Sequence, residues 1–458
     1  MCFDNVFHRV CDTLEELPDS LDETYERIMM GIKKANRRQA YRLLQCLAVA
    51  IRPLSVAELA ELLAFEFDAA KGGIQKLNAD WRWEDHEQAT LSACSSLITI
   101  VLTDGSPLVQ FSHFSVKEFL LSDRLATSTK YISQYHIVLE DANTVIARAC
   151  LGTLLQDHVD HNDANCVPLA RYAAEYWVNH ARVENVAPCI RKGMQYIFDP
   201  DKPYFLAWVR LHDIDYEFTP DDLQDKRQLQ AAPLYYAAFC GFSEIATTLA
   251  VETPHYASAI GGGCGTAMHA ASCQGHVHVV RSLLQCGVDV DVRGIWNWTP
   301  LHTASAWGYV DVVQCLLDHG ADANSKRKTR VTPLSLVAMS GHLDIIRVLL
   351  DHHTDVNFQD DEGRAPLHRA LAYDLNHGNR LQIVGLLLEH GANPNARNID
   401  QKTPLHLVPS SGLEVARILL EHGADPDAED MEGNTPYMAA WLERRDDIAQ
   451  LLSEYRSK

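Results

Sequence analysis

The residue types able to do chemistry in this chain sit in two clusters. The first, Asp157-His158-Val159-Asp160-His161-Asn162-Asp163, sets two imidazoles three residues apart, a spacing that puts both on one helical face and suits a metal ion. A tetrahedral site needs further Cys or His ligands, and no distant motif supplies them, so the segment reads as a solvated turn. A nucleophile needs a paired base and a shaped turn, yet no Gly-x-Ser-x-Gly, His-Glu-x-x-His or Cys-Gly-Ser-Cys sequence occurs. Nor is there a Gly-x-x-x-x-Gly-Lys-Ser/Thr phosphate cradle: Gly72-Gly73 and Gly261-Gly262-Gly263 have no Lys-Ser or Lys-Thr behind them and read as loops. No catalytic residue, cofactor or metal is expected.

The second cluster suits recognition. Lys326-Arg327-Lys328-Thr329-Arg330 gathers four cations in a chain whose 40 Lys and Arg face 61 Asp and Glu, a formal net charge of −21. Trp296 and Trp298 flank Asn297 ahead of it, and Trp307 lies between. Tryptophan beside arginine and lysine is the composition of an interface hot spot. The candidate partner-binding residues are therefore Trp296, Trp298, Trp307, Lys326, Arg327, Lys328 and Arg330, and they fit a protein with an acidic surface. As an alternative, the cationic run reads as a nuclear-import signal. The net acidity repels phosphate backbones and anionic membranes, so neither nucleic acid nor membrane is an expected partner. The 12 cysteines include no Cys-x-x-Cys pair, which fits reduced, mostly buried thiols in a cytoplasmic or nuclear protein. The opening Met1-Cys2-Phe3-Asp4-Asn5 has no basic and apolar leader, and no long apolar run occurs, so neither secretion nor a membrane span is expected.

What must hold the recognition cluster in place is written as a repeat. The phrase Thr299-Pro300-Leu301-His302 returns as Thr332-Pro333-Leu334, Ala365-Pro366-Leu367-His368, Thr403-Pro404-Leu405-His406 and Thr435-Pro436-Tyr437. Ala232 and Thr266 extend the set to about seven units spaced near 33 residues, the first and last degenerate. Each unit reads as helix, turn, helix, turn. Thr caps the first helix, and Pro at its first position loses nothing because its missing N–H had no partner there. Gly308 and Gly320 end the two helices of one unit, where a positive φ is needed. Val312, Val313, Leu316 and Leu317 supply an apolar face, and the small Ala304 and Ser305 let first helices approach closely. His302, His368 and His406 are expected to bond within their own units.

These residues resemble the ankyrin repeat, whose pattern is a Thr-Pro-Leu-His helix start, Gly-His between helices, and Leu-Leu followed by Gly-Ala and Asp or Asn. The resemblance implies a stacked array whose projecting hairpin turns dock partner proteins. Two departures stand out. The stretch Tyr373 to Arg380 lengthens one inter-helix turn, so 38 residues separate Ala365 from Thr403, an insertion tolerated only at a surface turn. Arg444 and Arg445 replace Gly and His in the last unit, which predicts a polar closing face.

The N-terminal half lacks the period. A capping box at Ser20 and Glu23 starts one helix, Arg37 to Ala50 places Ala40, Leu43, Leu44 and Leu47 on the face of another, and Ser55 caps a helix through Leu63. A further helix is predicted over about Asp85 to Cys94, then a hairpin of Leu97 to Leu102 with Leu108 to Phe111, and a closing helix from His113. Helices followed by a hairpin is the winged-helix order. Leu17-Pro18 to Ile28, Arg52-Pro53-Leu54-Ser55 and His113-Phe114-Ser115-Val116-Lys117-Glu118-Phe119 resemble the segment after the NACHT-type NTPase domain in fungal signal-transducing receptors. In that family the winged helix couples nucleotide state to sensor repeats, whereas the NTPase signature itself is absent here. The helix predicted to enter DNA in such a fold carries Glu84, Asp85 and Glu87, which argues for protein packing. Pro168 to Trp177 reads as a helix burying Leu169, Tyr172, Ala173, Tyr176 and Trp177, with others at Thr144 to Leu155 and Pro203 to Leu211.

The fold expected is mainly α: a helical remnant resembling the end of a NACHT module at 1–35, a winged-helix domain at 36–125, a helical connector at 126–231 and an ankyrin-repeat solenoid at 232–458. The function expected is a non-enzymatic scaffold or adaptor that binds a partner protein. The alternatives are a sensor fragment associated with a NACHT-type NTPase and, third, a DNA-binding regulator.

Overall fold

The structure is a computed structural model describing residues 21–65, 96–103, 106–128, 131–156, 167–215, 232–371, 379–408 and 412–456. The chain divides into two compact units, Met1–Ile214 and Asp215–Lys458.

The first unit opens with α1 (Leu21–Gly31), α2 (Arg37–Val49), β1 (Leu54–Ser55), α3 (Val56–Leu63), β2 (Ile98–Thr103), β3 (Ser106–Phe111) and α4 (Phe114–Leu120). Ser55 caps α3 as its sequence predicts. Its hydroxyl accepts the Glu58 N–H at 3.2 Å, and the Glu58 carboxylate accepts the Ser55 N–H at 2.7 Å. The same carboxylate takes the Arg52 guanidinium at 2.6 Å, so one acid fixes both the helix start and the chain entering it. The strands form an antiparallel sheet in the order β1-β3-β2, with Leu54 and Ile100 on either side of the fully buried Val109. The hairpin is the expected one; β1 is an addition, because its partner lies far along the chain. The helix predicted at Asp85 to Cys94, the Ser20 cap and the His158/His161 pair lie outside the described residues.

The unit continues with α5 (Asp123–Ala126), α6 (Leu139–Leu154), α7 (Ala170–Ala181), α8 (Val186–Ile197) and α9 (Tyr204–Leu211). Trp177, Phe198, Phe205 and Trp208 form an aromatic core with ring centroids 5.2 to 6.1 Å apart. Helix α7 starts two residues later than Pro168, where the Leu169 N–H donates to the buried Glu61 carboxylate at 2.9 Å. Tyr176, expected in the core, is half-buried, with the Arg52 guanidinium 5.9 Å from its ring. In the interior the Tyr172 hydroxyl meets His180 Nε2 at 2.9 Å, and His180 Nδ1 meets Asn143 Oδ1 at 2.7 Å. Burial lowers the His180 pKa to about 4, so the ring is neutral and this trio is core.

The described residues of the second unit form seven consecutive pairs: α10 (Pro233–Cys240) with α11 (Ser243–Glu252), α12 (Ala267–Cys273) with α13 (Val277–Gln285), α14 (Pro300–Trp307) with α15 (Val310–Asp318), α16 (Pro333–Ser340) with α17 (Leu343–Asp351), α18 (Pro366–Leu371) with α19 (Arg380–Glu389), a 3-10 turn (Pro404–Leu407) with α20 (Leu413–Glu421), and α21 (Pro436–Leu442) with α22 (Asp446–Arg456). Thr299 and Thr332 accept the N–H of the residue three on, at 3.4 and 3.3 Å. Gly308 ends α14 at φ +83°, and a Cβ there would stand 2.7 Å from the His342 ring of the next pair. That glycine therefore meets two requirements, left-handed backbone and close approach.

Three ladders join successive pairs. His269, His302, His368 and His406 each aim Nε2 at a carbonyl just before the next pair, Trp298, Val331, Lys402 and Asn434, at 3.0 to 3.1 Å. The expectation of bonds within the unit holds only for Nδ1, which accepts the Thr299 N–H at 3.3 Å in the case of His302. Asn324, Asn357 and Asn395 side chains each accept the N–H of Asp355, Asn393 and Asp425 in the next turn, all at 2.7 Å. At the tips, the N–H groups of Lys328, Asp361, Ile399 and Met431 donate to the carbonyls of Trp296, Thr329, Glu362 and Asp400 at 2.9 to 3.3 Å. Neighbouring tips are thus stitched backbone to backbone.

Candidate functional site

The seven residues singled out from the sequence all lie on two adjacent tips and the first helix between them, and the structure divides them by role. Trp296 is half exposed, at 50 %, on a left-handed backbone with φ +52° that turns its indole outward. Trp307, at the end of α14, is 52 % exposed, and Tyr309 beyond it is 36 % exposed. Lys328 is exposed and its N–H is tied to Trp296, which fixes the ammonium-bearing tip against the indole-bearing one. These groups face solvent on a rigid backbone, the arrangement that costs least to order on binding.

Trp298 and Arg327 turn inward. The Arg327 guanidinium lies 5.5 Å from the centre of the Trp298 ring, which in turn sits 6.1 Å from His302. Burial lowers the Arg327 pKa, and the like charge of Arg369 adds to that. Beneath it, the buried Asp360 carboxylate takes the Arg369 guanidinium. Although burial alone raises a carboxyl pKa, the Arg364 N–H and the Arg369 side chain hold Asp360 below the usual carboxylate range. Arg327 therefore packs against Trp298 within the array rather than presenting its charge to solvent.

Lys326 and Arg330 are exposed but seated. Their charged ends approach the Phe358 ring from the next turn, Nζ at 4.2 Å and Cζ at 5.1 Å from its centre. Arg293 Nη1 and Asn297 Nδ2 each donate to the Lys326 carbonyl, at 3.1 and 3.2 Å, tying the two tips together again. Phe358 was not singled out from the sequence. The signal was there: in register it stands where Ser325, Ala396 and Ala428 are small. The two tips carry the exposed Trp296 ring and three cationic heads, two of them held over the Phe358 ring, and Trp307 and Tyr309 are exposed at the C-terminal end of α14.

The closing face of the array differs from expectation. Arg445 is buried and paired with Glu443, while Met438, Trp441 and Leu442 of α21 are 46, 63 and 62 % exposed. Polar replacements at the Gly-His positions do not make that face polar, because the apolar residues precede them on the helix. Among the described residues no helix is long and apolar enough to cross a membrane, and no group of three or more His, Cys, Asp or Glu is placed to hold a metal ion.

Comparison with known proteins agrees with this architecture. Residues 234–327, 320–398 and 377–458 match the family "Ankyrin repeats (3 copies)", and residues 25–130 match "GPI inositol-deacylase, winged helix domain". The azaphilone pigments biosynthesis cluster protein L of Monascus ruber is 32 % identical over 297 residues, which cover 60 % of this chain and 61 % of that protein. The chain thus spans about three fifths of the length of the curated relative it matches.

Proposed function

We propose that this chain, an ankyrin-repeat protein with a winged-helix region ahead of its repeats, is a non-enzymatic scaffold that captures a partner protein on the tips preceding α14 and α16. The observation that carries the reading is the exposed Trp296 together with the exposed cations Lys326, Lys328 and Arg330 on tips tied by inter-tip hydrogen bonds, with Trp307 exposed at the end of the helix between them. Aromatic rings supply area, the cations select an acidic patch, and preorganisation limits the entropy lost on docking. The relative named for a pigment biosynthesis cluster makes a protein of such a cluster the first partner to test.

The test is quantitative affinity capture from cells with wild-type chain and the Trp296→Ala/Trp307→Ala/Lys328→Ala variant. The partner should be lost from the variant while the Tm stays within a degree or two, since all three side chains face solvent. Undiminished capture by the variant would contradict the reading. The winged-helix match favours a second reading, in which the array is the sensor part of a NACHT-type NTPase assembly. Co-purification of a nucleotide-binding protein with residues 21–215 rather than with the array would support that one.

A further inference from the structure

A second surface lies at the other end of the array, and two of its residues occupy positions that are buried in each earlier pair where they are described. Three residues after the helix cap stands His269, His302, Ser335, His368 or His406, all buried, and the histidines bond to the next pair. Six after the cap stand Ser272, Ser305, Ala338 and Leu371, again buried. In the last pair these two positions are Met438 and Trp441, and both are exposed. Leu442 beside them and the tip residues Met431 and Ile399, joined through the tip ladder, are 62, 70 and 58 % exposed. Met438 and Trp441 therefore stand open at positions that are buried in earlier pairs, and Leu442 on the same helix with Met431 and Ile399 on the two tips ahead of it add exposed apolar side chains to this end of the array.

Charge selects what covers it. Among the described residues, exposed Glu429, Glu432, Glu443, Asp446 and Asp447 surround these side chains, against two exposed cations, Arg397 and Arg444, the first donating to the Glu429 carbonyl. A second copy of this chain would bring the same acids onto themselves, with a net charge of −21 on each molecule. A helix with an apolar face and Lys or Arg flanks meets both demands, and two methionines and a tryptophan make an adaptable lining for its side chains. We propose that the end of the array carrying Ile399, Met431, Met438, Trp441 and Leu442 is a docking site for a basic amphipathic helix, separate from the tryptophan and lysine surface before α14 and α16.

The probe is a fluorescent helical peptide of leucine and lysine with all leucines on one face, titrated against the full chain by anisotropy. A leucine and glutamate peptide of the same pattern serves as the counterpart. The wild-type chain should bind the lysine peptide and not the glutamate one. Met438→Ser/Trp441→Ser/Leu442→Ser should weaken binding about tenfold or more, and Asp446→Asn/Asp447→Asn about threefold with a flatter salt dependence. Trp296→Ala/Trp307→Ala should leave it unchanged, so failure here and failure of the scaffold reading are told apart. Equal binding by the triple serine variant, or equal binding of the glutamate peptide, overturns the proposal. So does a wild-type dimer in sedimentation that the serine variant dissolves, because the occupant is then a second copy.

Discussion

At the scale of single residues, the repeat histidines decide more than their motif suggests. His302 donates from Nε2 to the Val331 carbonyl and accepts the Thr299 N–H at Nδ1, a pattern only the neutral ring can satisfy. Burial enforces the same state, lowering His302 to about 3 and His269 to about 4 from an ordinary 6.5. Because the folded rings bind fewer protons than unfolded ones, their contribution is whole above pH 6.5 and is lost as pH falls toward 4 and 3. Thermal melts of the chain should therefore show Tm falling between pH 7 and 5, and the fall should shrink in a His269→Gln/His302→Gln variant. A Tm flat over that range would contradict the buried-neutral assignment. Truncation of His302 to Ala should cost about 1 to 3 kcal/mol, as the Val331 carbonyl loses its donor. The same scale separates the aromatic rings: Trp298→Ala should lower Tm by removing the ring that faces Arg327, whereas Trp296→Ala should not. Sequence alone left open which of the three tryptophans pack within the array, because indole composition carries no direction; the left-handed backbone at Trp296 supplies it.

At the scale of elements, local code was legible and distant pairing was not. Thr-Pro starts, Gly ends and the Ser55 capping box are written within four residues, and the structure has them where the spacing puts them. Strand β1 depends on Val109, and each histidine ladder step spans about one repeat, so neither leaves a mark in a short window. Phe358 was overlooked for a related reason: its meaning comes from Lys326 and Arg330 in the previous turn. The glycines at helix ends offer a test of how tightly pairs are fitted. Gly308 and Gly320 share φ near +83°, yet a Cβ at Gly308 meets His342 and one at Gly320 meets nothing within 4 Å. Gly320→Ala should cost about 1 kcal/mol from backbone strain alone, and Gly308→Ala clearly more, about 2 to 4 kcal/mol, in urea unfolding. Equal costs would mean that the pair interface yields freely.

At the scale of the whole molecule, a repeat array with backbone-stitched tips is a ruler on which side chains are set at fixed intervals. Its apolar and hydrogen-bonded framework is spent on stacking, and what is left for a partner is the set of tip and helix-end residues that stacking does not use. In this chain that set is uneven: tryptophan and cations before α14 and α16, acids and methionines near α21. The fold was legible from its period; the working surface was legible in composition, and only the structure separated Trp298 and Arg327, which brace it, from Trp296, Trp307 and Lys328, which face outward. The most direct measurement is the capture of partner protein by the wild-type chain, by Trp296→Ala/Trp307→Ala/Lys328→Ala, and by Glu414→Ala/Arg417→Ala on the far helix α20 as a surface control. The account predicts that the first variant loses the partner at unchanged Tm while the control retains it. Capture retained by the first variant, or lost equally from the control, would contradict it.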